Sequence, residues 1–380
     1  MPTAKAHRQG THRARHPAQT WQVMAPKLAR FGVTRVADVT GLDTVGIPVA
    51  LAIRPLARSL SVSQGKGQDL LLAKVSAVME SIELWHVEQV YPPVVAARAP
   101  AAALGLPYRV TDLDMLAGSL VTADTPLDWI AATGLVGGRT VPVPLDMVCL
   151  ARPGHRGWTP PGFRRTSNGL ASGNCGEEAA LHALYEVIER DAIRGEPWEE
   201  PSRFIDPDSV TDPGCAALLD RLRAAGMVFD LVLVPSRFDV PCFAARVWSA
   251  DLPVTCLGFG AHGAPDVALS RALTEAAQAR LTTITGSRED LPSVYEQVRH
   301  GGDQPPTPVR DGLDWSVAVA GFPRCDEDLA VELAGLSARV TRAAGAEPLL
   351  VDLSTDPDFA VVKVLVPGTG TDLDRLHDPG

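Results

Sequence analysis

One predicted helix, apolar over most of its circumference yet carrying two carboxylates, constrains this chain more than any other feature. Residues 68–89 have helical periodicity, and Glu80 and Glu83 share one stripe with Ser76. Most of the other side chains in this segment are Leu, Val, Ile or Met, so the helix is expected to be buried. A buried carboxylate is costly unless a cation balances it. The sequence therefore predicts a cation beside this helix.

A second acidic helix is predicted to begin at Asn174 and to end near Gly195 and Pro197. Asn174 with Glu177 three residues later resembles a capping box. One face of the helix carries four titratable side chains: Glu178, His182, Glu186 and Glu189. The two helices together hold two matched Glu-x-x-Glu pairs plus Glu178, an all-oxygen donor set that suits Mg²⁺. The alternative is that both helices carry solvated acidic faces held by salt bridges.

A glycine-containing loop is predicted before each acidic helix, over residues 63–67 and 167–174. Glycines let the backbone approach a phosphate closely, and the free N–H groups at a helix start attract anions. Lys66 adds a positive charge to the first loop. That loop is not a Walker A motif, since Leu60 occupies the place of its first glycine. We expect both pairs of acids to face one cavity rimmed by these loops, which indicates a nucleotide bound with Mg²⁺.

The second half of the chain indicates an α+β fold. A third helix is predicted over Asp266–Thr285, and two segments, Leu219–Trp248 and Ala334–Val366, repeat an α-β-β pattern. Two such units predict helices layered on mainly antiparallel sheets. We expect a flexible basic tail over residues 1–18, one catalytic domain over residues 19–370 and a short C-terminal tail over residues 371–380.

Composition excludes several classes of protein. The 380 residues are 46% hydrophobic and carry a formal net charge of −10, which disfavours general nucleic-acid binding. No apolar run is long enough to cross a membrane, and the basic N-terminus lacks the apolar region of a secretory signal, so we expect a cytoplasmic protein. The six cysteines form no C-x-x-C or C-x-x-H pattern, so we expect reduced thiols and no structural zinc site.

The combined motifs resemble those of the YcaO family. The residues that carry this resemblance are Gly65-Lys66-Gly67, Ser76 to Glu83, Ser167-Asn168-Gly169, Gly173-Asn174, Glu178 to Arg190, Thr34 to Val49, and Ser270 to Arg280. The resemblance covers nearly the whole chain after the basic tail. It implies a YcaO-like fold and an ATP- and Mg²⁺-dependent enzyme that activates a peptide backbone amide.

The resemblance also implies roles for individual residues. It implies that metal ions are bound by Glu80, Glu83, Glu178, Glu186 and Glu189. It also implies that the nucleotide is bound by Lys66, Ser76, Asn174 and Arg190. Catalytic roles toward the phosphate pass to Arg190 and Arg280. This chain departs from the family pattern at Ala171-Ser172, where the family often has serine before alanine-glycine. No general base is named.

The product and the partners are expectations of the same kind. The chain end at Gly380 lacks the proline-rich tail typical of ring-forming members, and the stand-alone shape resembles members that work beside a TfuA-like protein. We therefore expect thioamide formation on a precursor peptide or protein with a TfuA-like or other peptide-presenting partner, and azoline formation is the alternative. Two rivals are a carboxylate-bridged di-metal oxidase and a non-catalytic peptide-binding scaffold. The oligomeric state is open, with a homodimer among the assemblies considered.

Overall fold

The computed structural model describes residues 3–150, 162–195, 198–287, 294–306 and 311–371. The predicted helix stop at Pro197 and all but the first residue of the predicted C-terminal tail lie outside these ranges. Within them the helices are α1 (Pro17–Met24), α2 (Leu70–Gln89), α3 (Gly176–Arg194), α4 (Pro213–Ala224), α5 (Pro265–Thr285), α6 (Val294–Arg299), α7 (Trp315–Val319) and α8 (Leu329–Ala344).

The strands of the same ranges all pair in antiparallel fashion. They are β1 (Arg35–Asp38), β2 (Val49–Ile53), β3 (Val62–Lys66), β4 (Val94–Pro100), β5 (Pro126–Gly134), β6 (Thr140–Pro144), β7 (Leu170–Gly173), β8 (Phe204–Ile205), β9 (Val228–Leu233), β10 (Cys242–Ser249), β11 (Leu252–Ala261), β12 (Leu349–Asp352) and β13 (Ala360–Leu365).

The chain forms two compact units. Unit 1 comprises Met1–Lys5, Ile82–Arg194 and Asp326–Gly380, and unit 2 comprises Ala6–Ser81 and Gly195–Cys325. Helix α2 begins in unit 2 and ends in unit 1. None of the helices in the described part of the chain has the length and apolar character that a membrane crossing requires.

Unit 1 is built on a six-stranded sheet. Five of the strands follow the order β4-β5-β12-β13-β7, and the sixth strand, β6, also pairs with β5. Helix α3 packs on β7 and β13, and α8 packs on α3. The packed face of α3 is apolar because Ala179, Ala183, Leu184, Val187 and Ile188 recur at helical spacing and are buried.

Unit 2 holds two smaller sheets and a shared helix. One sheet has the order β1-β2-β3 and the other β11-β10-β9-β8. Helix α5 packs on β10 and β11 and also contacts β2 and β3. Its buried residues, among them Leu269, Leu273 and Ala276, join α4, β9 and β10 in one hydrophobic core. This double contact explains why α5 is buried over much of its length.

The two predicted α-β-β segments are confirmed as similar local structures in different units. In unit 2, α4 leads into the antiparallel pair β9 and β10, with Phe243 opposite Leu233. In unit 1, α8 leads into the antiparallel pair β12 and β13, with Leu349 opposite Leu365. The α+β fold class and the third predicted helix are confirmed as well.

Both predicted glycine loops are wrong in their secondary structure. Residues 62–66 form strand β3 and residues 170–173 form strand β7, so much of each predicted loop is extended backbone. Helix α3 begins at Gly176, later than Asn174. Glycine and serine were interpreted as turn residues, but glycine also enters a strand where a neighbouring backbone approaches closely.

That close approach is observed at Gly65 and Gly258. A Cβ atom on Gly65 would lie 2.0 Å from the backbone nitrogen of Ala77 in α2. A Cβ atom on Gly258 would lie 2.2 Å from the carbonyl oxygen of Ala272 and from the backbone nitrogen of Ala276 in α5. Both strands therefore pack directly on helix backbone, which requires glycine on the strand and alanine on the helix.

Residues 3–16, which the sequence analysis treats as a flexible tail, make backbone hydrogen bonds. The Thr3 carbonyl accepts from Leu329 N–H, and Lys5 N–H donates to the Glu327 carbonyl. His7 and Arg13 pair in antiparallel fashion further along the segment. The domain boundaries at residues 19 and 370, and the flexibility of the tail, stay predictions.

We expect Gly258→Ala to lower the free energy of unfolding by about 3 kcal/mol or more, because the added methyl overlaps helix backbone that cannot rotate away. Chemical denaturation measures this change. The matched control is Gly335→Ala in α8, where an added Cβ meets no atom within 4 Å and a helical alanine is favoured over glycine. Equal destabilisation by the two substitutions would contradict the close-packing explanation.

Candidate functional site

Helix α2 is joined to strand β7 through the Glu83 carboxylate. Its Oε1 atom accepts hydrogen bonds from Ser172 N–H at 2.8 Å and from Ser172 Oγ at 2.5 Å. The serine that departs from the family pattern is therefore the partner of an acid singled out from the sequence. Two hydrogen bonds to one carboxylate oxygen favour its charged form and fix its direction.

The acids of α3 begin at its first turn. Both oxygens of Glu178 accept from the Asn174 side-chain amide, at 3.0 and 3.1 Å. Asn174 therefore orients a carboxylate with its side-chain N–H groups. Glu178 is only 3% exposed and Glu189 only 2%. Two nearly buried acids on one helix contradict the alternative of a solvated acidic face.

The remaining predicted residues lie on the same two helices. Ser76 and Glu80 precede Glu83 on α2 by about two turns and one turn, and both are half-buried. Glu186 and Arg190 are half-buried on α3, next to the buried Glu189 and Ile188. Within unit 1 the structure therefore brings Glu83 to β7 and Glu178 to Asn174, on the strand and turn that lead into α3.

Cys175, at the start of α3, is not an activated nucleophile. Burial, with a smaller contribution from the neighbouring Glu178 and Glu177 carboxylates, raises the pKa of its thiol to about 11. At neutral pH the side chain is therefore a protonated thiol.

A buried lysine that was not predicted from the sequence lies in β13, a strand on which α3 packs. Lys363 in β13 is 3% exposed and donates to the Thr166 carbonyl at 2.7 Å. Burial lowers the pKa of Lys363 to about 8, while the Glu186 and Asp114 carboxylates oppose that shift. A cavity of about 30 Å³, lined in part by Lys363, Asp114 and Asn168, adjoins it. A single lysine inside an apolar strand gives no periodic signal, so only the fold reveals its position beside an acidic helix.

In unit 2, strand β3 and the segment that follows it are hydrogen-bonded to α5. Gln64 accepts from Thr282, Lys66 forms an ion pair with Glu275, and Gln68 donates to Ser270 at 2.9 Å. These three partners on α5 follow one another in reverse order along the helix. The ammonium group of Lys66, which the sequence suggests as a positive charge for a phosphate, therefore has the Glu275 carboxylate as its partner in this structure.

Arg280 lies in the interior of unit 2. Its side chain is 2% exposed, and its Nε donates to both oxygens of Asp43, at 3.0 and 2.9 Å. Its other nitrogens reach Ser249 at 2.5 Å and Asp251 at 3.3 Å. Hydrogen bonding from Ser249, followed by the charge of Arg280, lowers the pKa of Asp251. These contacts are those of a structural ion pair, and the two motif segments at 34–49 and 270–280 meet through it.

Comparison with known proteins places the chain in a family. Residues 64–370 match the family model described as YcaO cyclodehydratase, ATP- and Mg²⁺-binding. The chain belongs to the YcaO family. An uncharacterised protein of Mycobacterium tuberculosis is 43% identical over 377 residues, covering 97% of this chain and 84% of the relative. A protein of Rhizobium leguminosarum bv. trifolii named for the tfuA 3′ region is 36% identical, covering 95% of this chain and 89% of the relative.

Solved YcaO structures share the fold. YcaO from Methanopyrus kandleri bound with AMPPCP and Mg²⁺ has a TM-score of 0.70 at 24% identity and covers 96% of this chain and 94% of its own. A heterocyclase in complex with substrate and cofactor has a TM-score of 0.73 at 23% identity, covering 98% of this chain and 54% of its own. The predicted family and the YcaO-like fold are therefore confirmed, as are ATP and Mg²⁺ as the cofactors.

The residues present fit Mg²⁺ by the chemistry of their donors. The acids of α2 and α3 offer only carboxylate oxygen, the donor that a hard divalent cation prefers. Both Glu178 and Glu189 are too buried for water to balance their charge. The YcaO chain thus has a donor set that a cation of this type satisfies. A di-iron site would need two Glu-x-x-His pairs. In the one pair on α2, Glu83 and His86, both ring nitrogens of His86 are hydrogen-bonded, to Ile82 and Thr355, and on α3 Ala192 occupies the third position after Glu189.

We expect Arg280→Ala to lower the free energy of unfolding by about 3–5 kcal/mol, because it leaves the buried Asp43 carboxylate uncompensated. The matched control is Arg223→Ala in the same unit, whose ion pairs with Asp208 and Asp220 are largely exposed and contribute about 1 kcal/mol or less. Thermal and chemical unfolding of both variants measure the difference. A stable Arg280→Ala protein that has lost turnover would instead support a catalytic role.

Proposed function

We propose that this YcaO protein uses ATP to activate the oxygen of a peptide backbone amide, most specifically for thioamide formation beside a TfuA-like partner. The observation that carries the proposal is the joining of acidic helix α2, through Glu83 and Ser172, to strand β7, which precedes acidic helix α3. This contact fixes a carboxylate beside the strand that leads to Asn174 and Glu178, within the motif that the family model covers.

A nucleophile adds to the carbonyl carbon of the substrate amide, and the former carbonyl oxygen then attacks the γ-phosphorus of ATP. The bond from that phosphorus to ADP breaks, and phosphate later leaves with the amide oxygen. With sulfide, or a donor at the same oxidation level, as nucleophile, the product is a thioamide. With a Cys, Ser or Thr side chain of the substrate as nucleophile, it is an azoline ring.

We assign metal binding to five acids: Glu80, Glu83, Glu178, Glu186 and Glu189. These residues would hold Mg²⁺, which would neutralise charge on the ATP phosphates. Asn174 orients Glu178 through two hydrogen bonds, and Ser172 does the same for Glu83. Lys363 balances part of the negative charge around Glu186 from the side of β13. The contribution of the protein to rate is thus positioning and fixed charge.

The proposed nucleotide residues are Lys66, Ser76, Asn174 and Arg190. Arg190 follows the buried Glu189 on α3 and is the arginine that we assign to the phosphate that is transferred. Lys66 has Glu275 as its partner, so its role toward a phosphate requires exchange of that ion pair. The ion pairs of Arg280 support a positioning role, in which it holds the segment around Asp43 against α5.

Two features of the relatives bear on substrate and partner. The Rhizobium relative is named for its place in the tfuA region, which supports a TfuA-like partner and thioamidation. The structurally similar heterocyclase was solved in complex with substrate and cofactor, so azoline formation stays the second candidate reaction. A non-catalytic scaffold is disfavoured because all five acids are present. ATP hydrolysis that depends on a precursor peptide would exclude it.

We expect Glu83→Gln and Glu186→Gln to keep or raise the melting temperature of the metal-free protein, because each removes one of several like charges. The same variants should lose Mg²⁺-dependent ATP turnover by roughly a hundredfold or more. Thermal unfolding and phosphate release measure the two effects.

The matched control for these variants is Glu177→Gln, on the first turn of α3 but outside the proposed ligand set. It removes the same charge and should retain turnover. If Glu83→Gln unfolds while its folded fraction turns over normally, the acid is structural and the proposed metal role is lost.

The mass of the product separates thioamide from azoline. We expect the full-length protein with precursor peptide, ATP, sulfide and a TfuA-like protein to raise the peptide mass by about 16 Da per site, since sulfur replaces oxygen. Cyclodehydration would lower it by about 18 Da, because water is lost. Reactions without sulfide serve as the control, and a mass loss independent of sulfide would refute thioamidation while leaving amide activation intact.

A further inference from the structure

Three soft metal ligands from distant parts of the sequence meet in unit 2. His12, His262 and Cys325 each offer a ligand atom, and these atoms lie within 4.8 Å of one another. The two imidazole rings meet edge to face, with centroids 4.8 Å apart and planes at 89°. His262 follows strand β11 and is 9% exposed, and the other two residues are half-buried. None of them belongs to the proposed amide-activating site.

We propose that these three residues bind one Zn²⁺ ion. A thiolate and two imidazoles suit zinc, whereas Mg²⁺ prefers oxygen donors and would not compete for them. Around tetrahedral zinc such atoms lie roughly 3.4 Å apart, so each pair has to close by at most about 1.4 Å. Three protein ligands leave one coordination position for water. The ligands are 250 and 63 residues apart in sequence, so a search for short cysteine motifs does not find them.

Metal binding by His262 must break one hydrogen bond of its imidazole ring. Ala264 N–H donates to Nδ1 of His262 at 2.9 Å, so the ring proton of the neutral side chain lies on Nε2. A neutral imidazole bound to a metal has no acceptor left at Nδ1, whichever nitrogen coordinates the ion. Zinc binding therefore exchanges the Ala264 hydrogen bond for a metal bond and releases the Cys325 proton. One lost hydrogen bond is a small cost beside three zinc–ligand bonds.

The consequence for the protein is a cross-link of its N-terminal segment. His12 lies in the basic segment whose His7 and Arg13 pair through their backbones. His262 lies between β11 and α5, and Cys325 is the last residue of unit 2. Zinc would hold the basic segment against the rigid end of β11. Arg8, Arg13 and Arg15 in this segment provide trypsin sites that report whether it is held.

The test uses untagged full-length protein stripped of metal with a chelator. We expect one equivalent of Zn²⁺ to bind, with release of protons, and one equivalent of Co²⁺ to give a thiolate-to-cobalt charge-transfer band. Zinc should slow tryptic cleavage in the basic segment at least tenfold and should speed hydrogen exchange at the Ala264 amide. Saturating Mg²⁺ and ATP should leave the zinc stoichiometry unchanged.

Substitutions of the ligands have matched controls. Cys325→Ser should abolish the charge-transfer band, and it and His12→Ala should weaken zinc binding by a hundredfold or more. Cys175→Ser and His7→Ala, a half-buried cysteine and a histidine of the same segment, should bind zinc like the unaltered protein. Substoichiometric zinc in the unaltered protein, a cobalt spectrum without thiolate ligation, or equal loss in the control variants would overturn the proposal. The spectrum of the unaltered protein decides the matter even if a variant fails to fold.

Discussion

The burial of carboxylates on helices α2 and α3 is the electrostatic constraint on which the candidate site depends. Glu178 and Glu189 lie almost wholly out of water, although each negative charge loses hydration there. Hydrogen-bond donors held in place by the fold offset part of this cost: Asn174 donates to Glu178, and Ser172 donates to Glu83. In the site that we propose, a bound Mg²⁺ would offset the remainder, and the family to which the chain belongs binds this cation.

Close packing of strands on helix backbone positions two helices of unit 2. Strand β3 lies against α2 at Gly65 because no side chain intervenes, and β11 lies against α5 at Gly258 for the same reason. Beyond Gly65, polar side chains on β3 bond to α5, with Lys66 paired to Glu275. The glycines that the sequence indicates as phosphate loops therefore have a packing role as well, since they set how near each strand comes to its helix.

The sequence predicts the helices well because helix formation depends on local periodicity. Helix α5 was predicted to within one residue at its start, and the two α-β-β segments were found from their repeated order. The secondary structure of the glycine segments was wrong, because glycine favours a turn locally while close helix packing favours a strand at Gly65. Arg280 shows the same limit, since its sequence position indicates a phosphate partner and its burial beside Asp43 indicates an ion pair.

The sequence by itself determined the family and the fold class, because helical spacing and motif order can be read along the chain. The five acids as a metal site stay a prediction from the same motifs. Only the tertiary structure decided which groups donate hydrogen bonds to those acids. Ser172, for example, donates to Glu83 from 89 residues away in the sequence. It also decided that Lys363 lies near Glu186 and that His12, His262 and Cys325 meet. These contacts join segments far apart in the chain, and their energies depend on distances that no local pattern contains.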